Sequence, residues 1–158
     1  REILGRAKKA GLHTALDTSG CVPFESIRSV LARTDLFLYD IKETDSDAHL
    51  RFTGGSLDAI LANLHQLDHA GAAIRLRCPI IPGINDRDTH FEELARIAGA
   101  LQNVQGIDLI PYHPLGIGKT EHLGKTNSYQ AKMPTDDTVA RWHLLLHATA
   151  PALSIERL

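Results

Sequence analysis

Residues 35–42, Asp35-Leu36-Phe37-Leu38-Tyr39-Asp40-Ile41-Lys42, decide how this chain is read. Apolar character runs unbroken from Leu36 to Tyr39, the pattern of a strand buried on both faces. Its far end turns polar, and side-chain alternation puts Asp40 and Lys42 on one face there. A strand buried in this way implies parallel neighbours joined by helical crossovers. The flanking sequence supplies them. Upstream, residues 12–17 predict a short strand and 23–33 a helix with Pro23 near its first position. Residues 1–10 read as the tail of a helix closed by Gly11. Downstream, Ser56 caps a helix running to about Ala70, with Leu57, Ile60, Leu61, Leu64 and Leu67 on one stripe, and Gly71 ends it. Asp45 and Asp47 cap the segment that leads to His49. Strand 73–79, helix 89–101 and strand 106–112 follow, then a Gly- and Lys-rich loop over 113–134, a helix over 135–149 and a tail able to form one more strand.

Strands alternating with helices imply a parallel sheet with right-handed crossovers. At 158 residues the chain is too short for a closed eight-stranded barrel, which needs about 250. It is therefore a small doubly wound domain or part of a barrel, with four to five parallel strands. With 43% hydrophobic residues it has enough apolar surface to fold. Its 17 basic and 19 acidic side chains leave a net charge of −2, which argues against nucleic-acid binding through a strong positive field. Two cysteines, Cys21 and Cys78, cannot build a disulfide framework. No run approaches the roughly 18 apolar residues of a membrane span, so the expected setting is a reducing cytoplasm, away from membranes. The first residue is Arg1, inside a helix-like run without an N-cap, and the only methionine is Met133. The chain is read as a piece of a longer protein.

In parallel α/β folds ligands bind at the carboxyl ends of the strands. Here those ends are unusually polar. The first strand ends in Asp17-Thr18-Ser19-Gly20 and the second in Asp40-Ile41-Lys42; the third carries Arg75 and Arg77, and the fourth runs into His113, which alternation groups with Leu109 and Ile107. Charged groups at buried strand ends are paired or hold a ligand. They could simply pair among themselves, Asp40 with Lys42 and Asp17 with an arginine. As a ligand site, the rim suits a zwitterion: the cations would meet a carboxylate and the aspartates an ammonium or a small cation.

The ordered segments Leu16-Asp17-Thr18-Ser19-Gly20, Asp35 to Lys42, His49 with Thr53-Gly54, Ile80-Ile81-Pro82-Gly83-Ile84-Asn85-Asp86 and Leu109-Ile110-Pro111-Tyr112-His113-Pro114-Leu115-Gly116 resemble the glycyl-radical-enzyme activating enzymes. The resemblance covers about residues 11–126. It implies a radical S-adenosylmethionine enzyme on a partial (β/α) TIM-like barrel, with residues 1–158 as the C-terminal part of one such domain. In that family a 4Fe–4S cluster cleaves S-adenosylmethionine reductively, and the resulting 5′-deoxyadenosyl radical removes a hydrogen from a backbone glycine of a partner enzyme, pyruvate formate-lyase being one. A flavodoxin or ferredoxin-type protein supplies the electron. By motif position, Asp40, Ile41 and Lys42 would line the S-adenosylmethionine site, His113 would close it, and Arg77 would stand near cofactor and incoming peptide. Asp17, Thr18, the Leu38 carbonyl and Asp40 match a small monovalent-cation site beside the methionine carboxylate.

The departure from the family is large: its CxxxCxxC cluster loop and glycine-rich methionine-binding motif are not in this sequence. A cluster needs three or four thiolates, so the chain alone is expected to be inactive. Cys21 reads as a small buried cysteine and Cys78, alternating with Arg77, as core. His65 with His69, and His143 with His147, have a zinc-compatible spacing, but neither pair shows the HExxH pattern or a third ligand. Gly118 and Gly124 are separated by five residues where a phosphate loop needs four, so the lysine-rich loop reads as a partner-facing or solvated segment. Trp142 reads as packing. Two other functions compete with the activase: a radical S-adenosylmethionine enzyme with a different small-molecule or peptide substrate, and a non-catalytic binding fragment whose strand at 12–17 leaves an unpaired edge.

Overall fold

The computed structural model of the chain describes residues 1–114, 124 and 131–157. Strands β1 (Ala15–Thr18), β2 (Leu36–Asp40), β3 (Ile74–Ile80), β4 (Val104–Pro111) and β5 (Ser154–Arg157) stand in one sheet in chain order, every neighbouring pair parallel. The helices are α1 (Glu2–Lys9), α2 (Phe24–Leu31), α3 (Ser46–Thr53), α4 (Leu57–His69), α5 (Asp88–Gly99) and α6 (Asp136–Thr149). Strand order never reverses, so there is no switch point and the doubly wound alternative is excluded. Right-handed crossovers that always step the same way leave their helices on one side of the sheet. The result is an open, partial barrel wall whose other face is not covered by these helices.

The two faces differ as this topology requires. Phe37, Tyr39, Ile74, Leu76, Cys78, Ile80, Ile107 and Leu109 point to the helix side and are fully buried. Trp142 of α6 stacks on Phe91 of α5 at 6.0 Å and shares that core. The tail strand is real, and it pairs with β4 over Gly106–Leu109. Ser56 caps α4 as expected, its hydroxyl accepting from the Ala59 N–H. Asp45 caps α3 by accepting from Ala48 N–H, but the segment it opens is a full helix, which the apolar pattern did not show. The Gly- and Lys-rich loop expected over 113–134, with Lys119, Thr120, Lys125 and Thr126, lies mostly outside the described residues. Among the described residues no helix is long and apolar enough to cross a membrane.

Candidate functional site

Strand register builds the site on the uncovered face. Asp17 stands opposite Leu38, and Leu38 opposite Arg75; one step toward the carboxyl ends, Asp40 stands opposite Arg77, Arg77 opposite Asp108, and Asp108 opposite Glu156. Alternation thus delivers acids and bases in rows across a single face. The rows are knitted diagonally. Arg77 donates to Asp17, and Arg75 to Asp108, whose carboxylate is almost wholly buried. Arg75 Nη2 also lies 2.9 Å from Glu156. At the rim Lys42 Nζ donates to Asp40 Oδ2 at 2.7 Å. Both internal pairings open to the sequence, Asp40 with Lys42 and Asp17 with an arginine, are therefore formed.

These pairs still leave capacity. The Lys42 side chain is 41% exposed and that of Asp40 21%, and both line a cavity of about 340 Å³ together with Ser19, Cys21, His49 and Phe52. Buried Nε of Arg77 has no hydrogen-bond partner. A larger hollow of about 550 Å³ lies between α2 and α4, by Phe24, Arg28, His65 and His69. It is lined by the length of α2 and the last turns of α4, with no residue from the strand carboxyl ends, where ligands of parallel α/β folds bind. The smaller cavity is the candidate site.

Three expectations change on inspection. Ile41 is 1% exposed with its side chain in the core. Its parity is that of Phe37 and Tyr39, so only its backbone can face a rim ligand; its N–H is already given to the Arg77 carbonyl. Ile107 and Leu109 face the helices, so grouping His113 with them would have turned it away from Asp40; in fact β4 ends at Pro111 and His113 lies past it, exposed and beyond the reach of alternation. Cys21 is exposed rather than buried, because positive φ at Gly20 turns the chain outward there. Cys78 is core as expected, and burial pushes its thiol pKa up.

For the cation expected among Asp17, Thr18, Leu38 and Asp40, the side chains are already engaged: Asp17 by Arg77, Asp40 by Lys42, and the Thr18 hydroxyl by the Gly20 N–H. Among the described residues no group of three His, Cys, Asp or Glu side chains is arranged to hold a metal ion.

Sequence reasoning missed the support behind Lys42. Glu43 is 2% exposed, yet it keeps its charge: burial opposes ionisation, but the Arg87 guanidinium and the N–H groups of Asp45 and Thr44 outweigh it and lower its pKa. His90 lies beside it with Nδ1 2.8 Å from the Thr44 hydroxyl, and burial lowers its pKa to about 4. His49, also buried, is held by the Gly55 carbonyl at 2.9 Å. Polar residues in the 42–45 and 85–90 segments were the available signal, but nothing in one dimension says that they meet.

No protein-family model matches the chain. It is 40% identical over 124 residues to the trans-4-hydroxy-L-proline dehydratase activating enzyme of Clostridioides difficile, covering 78% of this chain and 41% of that protein. It is 36% identical over 152 residues to the pyruvate formate-lyase-activating enzyme of Streptococcus mutans, covering 92% of this chain and 58% of that one. The chain thus spans about two fifths to three fifths of these curated relatives. In structure it matches a domain of a pyruvate-formate lyase-activating enzyme from Bacteroides vulgatus with a TM-score of 0.81 over 99% of this chain and 88% of that one, at 23% identity. That last likeness establishes the fold.

Proposed function

Because the chain is related by sequence to the glycyl-radical-enzyme activating enzymes, we propose that it forms the cofactor-rim portion, within one partial-barrel domain, of a radical S-adenosylmethionine activase. The observation that carries this reading is the Asp40–Lys42 pair, one anion and one cation part-exposed at a cavity on the strand carboxyl ends. The amino-acid end of S-adenosylmethionine presents one carboxylate and one ammonium, and it can exchange partners with this pair without leaving a charge unmatched. The donor set therefore fits that end of the cofactor. Arg77, with its unpartnered Nε, adds a cation in the adjacent register position. His113, just past the end of β4, would close the site from outside.

The residues present do not fit an iron–sulfur cluster. Cys78 is sealed beneath the sheet and Cys21 stands alone at the rim, whereas a cluster takes three or four thiolates. The ligands of such a cluster are assigned to sequence outside these 158 residues. With a cluster held by that outside sequence and a flavodoxin or ferredoxin-type reductant, bound S-adenosylmethionine would supply one-electron hydrogen abstraction, the substrate being a glycine of a partner enzyme. The residues of this chain orient the cofactor: Lys42 and Arg77 hold its carboxylate, Asp40 its ammonium. A monovalent cation among Asp17, Thr18, Leu38 and Asp40 would have to displace the Arg77 and Lys42 pairs first. The wild setting proposed is the cytoplasm.

The test uses the full-length protein reconstituted with iron and sulfide under reducing, anaerobic conditions. Asp40→Ala is expected to lower S-adenosylmethionine cleavage by at least about tenfold, the loss of one charge-assisted contact. Undiminished cleavage by that variant would overturn the assignment. Cleavage that never yields a glycyl radical on any candidate partner would instead favour a different substrate at the same rim.

A further inference from the structure

The segment Ile80–Asp86 matches a family motif in sequence, yet the rim chemistry above uses none of it. One of its residues reaches across to the rim. Asn85 is 2% exposed, and its carboxamide bonds to three backbone positions. Its Oδ1 accepts from the Ile81 N–H at 2.7 Å, and its Nδ2 donates to the carbonyls of Pro79 and Lys42, each at 2.8 Å. Two of these bonds close the turn that follows β3. The third crosses to the end of β2.

That crossing comes where the sheet ladder stops. Register between β2 and β3 ends at Asp40 opposite Arg77, and the last backbone bond is from Ile41 N–H to the Arg77 carbonyl at 3.0 Å. Past it the chain at Lys42 has left the sheet, and the Asn85 amide takes over the role of a neighbouring strand. Two residues further on, Arg87 grips the Glu43 carboxylate, which in turn accepts from the Thr44 and Asp45 N–H groups at 2.7 and 2.9 Å. The turn after β3 thus fixes the turn after β2 from one side.

We propose that Asn85 is a positioning residue for Lys42. By holding the Lys42 carbonyl it sets the backbone from which the ammonium group reaches Asp40 and the cavity, and so it governs how tightly the rim holds the carboxylate of an amino-acid ligand. The inference rests on the reading that this rim holds the amino-acid end of S-adenosylmethionine. A side chain that is free to swing from an unpinned backbone must be ordered at the moment of binding, and that ordering weakens affinity.

The experiment is a double-mutant cycle in the full-length protein, read by calorimetric binding of S-adenosylmethionine rather than by turnover. Asn85→Ala removes all three bonds; Asn85→Asp keeps the acceptor for Ile81 and removes the donors to Lys42 and Pro79. Lys42→Ala is expected to weaken binding about tenfold and either Asn85 variant about three- to tenfold. The double variant Asn85→Ala/Lys42→Ala should bind within about twofold of Lys42→Ala alone, because a residue acting through Lys42 has nothing left to act on. Additive losses, or unaltered affinity in the Asn85 variants while Lys42→Ala is weakened, overturn the positioning role and leave the proposed function standing. Asn103→Ala is the control for general stability: its amide donates to the Asp68 carbonyl at the opposite end of the sheet, and it should lower thermal stability without changing affinity. Hydrogen exchange supplies a readout independent of the cofactor. Amides of residues 41–45 should exchange faster in both Asn85 variants, and unchanged protection there overturns the inference. If the unmutated full-length protein binds no S-adenosylmethionine, the proposed function and the positioning role fall together.

Discussion

Gly20 and His90 show how single residues hold the rim in place. Gly20 has φ of 68°, and a Cβ there would run into the Tyr39 hydroxyl. That hydroxyl donates to the Ile60 carbonyl at 2.7 Å, so it cannot yield cheaply; burial raises the Tyr39 pKa. Asn63 completes the arrangement by donating to the carbonyls of Gly20 and Val22 at 2.7 and 2.8 Å. His90 makes stability depend on pH. Burial, with Arg87 in support and Glu43 opposing, lowers its pKa from 6.5 to about 4, so the unfolded chain takes up the proton first. Stability from this residue is whole above pH 6.5 and is lost as pH falls toward 4, by at most about 3 kcal/mol. Urea unfolding at pH 7, 6 and 5 should show the decline, and His90→Gln should flatten it; parallel curves for the two proteins would exclude His90 as its source.

Among the elements, α3 was the least legible. Its sequence, Ser46-Asp47-Ala48-His49-Leu50-Arg51-Phe52-Thr53, has no apolar stripe because only His49 is buried, while Leu50 and Phe52 remain more than half or half exposed. A helix held mainly by its ends leaves its mark in its caps. Asp45 accepts from Ala48 N–H, and Gly54 closes the helix in the left-handed region. Asp45→Ala should therefore cost about 1 kcal/mol in a denaturant titration, and an unchanged midpoint would show that α3 does not lean on this cap. The helix α4, by contrast, was legible from its cap and its stripe, four of whose five members are buried. The strand β4 begins at Val104, ahead of the expected residue 106, and takes in Gly106 as its third residue. In the sheet this glycine sits at a register irregularity, where the absent side chain leaves room for Arg75 and Ser154.

At the scale of the molecule, a sequential parallel sheet has two edges and one face without helices. Among the described residues β1 pairs only with β2, and β5 only with β4. Unpaired parallel edges seek partners. The 158-residue chain on its own is expected to run above its monomer mass in gel filtration as concentration rises. Monomeric behaviour across a hundredfold range of concentration, about a thousandth to a tenth of a millimolar, would count against open edges of this kind.

Local chemistry and periodicity are carried by contiguous residues. The sequence by itself therefore determined the alternation of strands and helices, the Ser56 and Asp45 caps, Cys78 and Trp142 as core, and a polar set at the strand carboxyl ends. Relative placement is not contiguous. Only the tertiary structure decided that strand order never reverses, that Ile41 turns into the core, that His113 lies beyond the sheet, and that Asn85 reaches the Lys42 carbonyl from 43 residues away. Each depends on how separate elements register against one another, and that is settled by burial and hydrogen bonding across the sheet rather than along the chain.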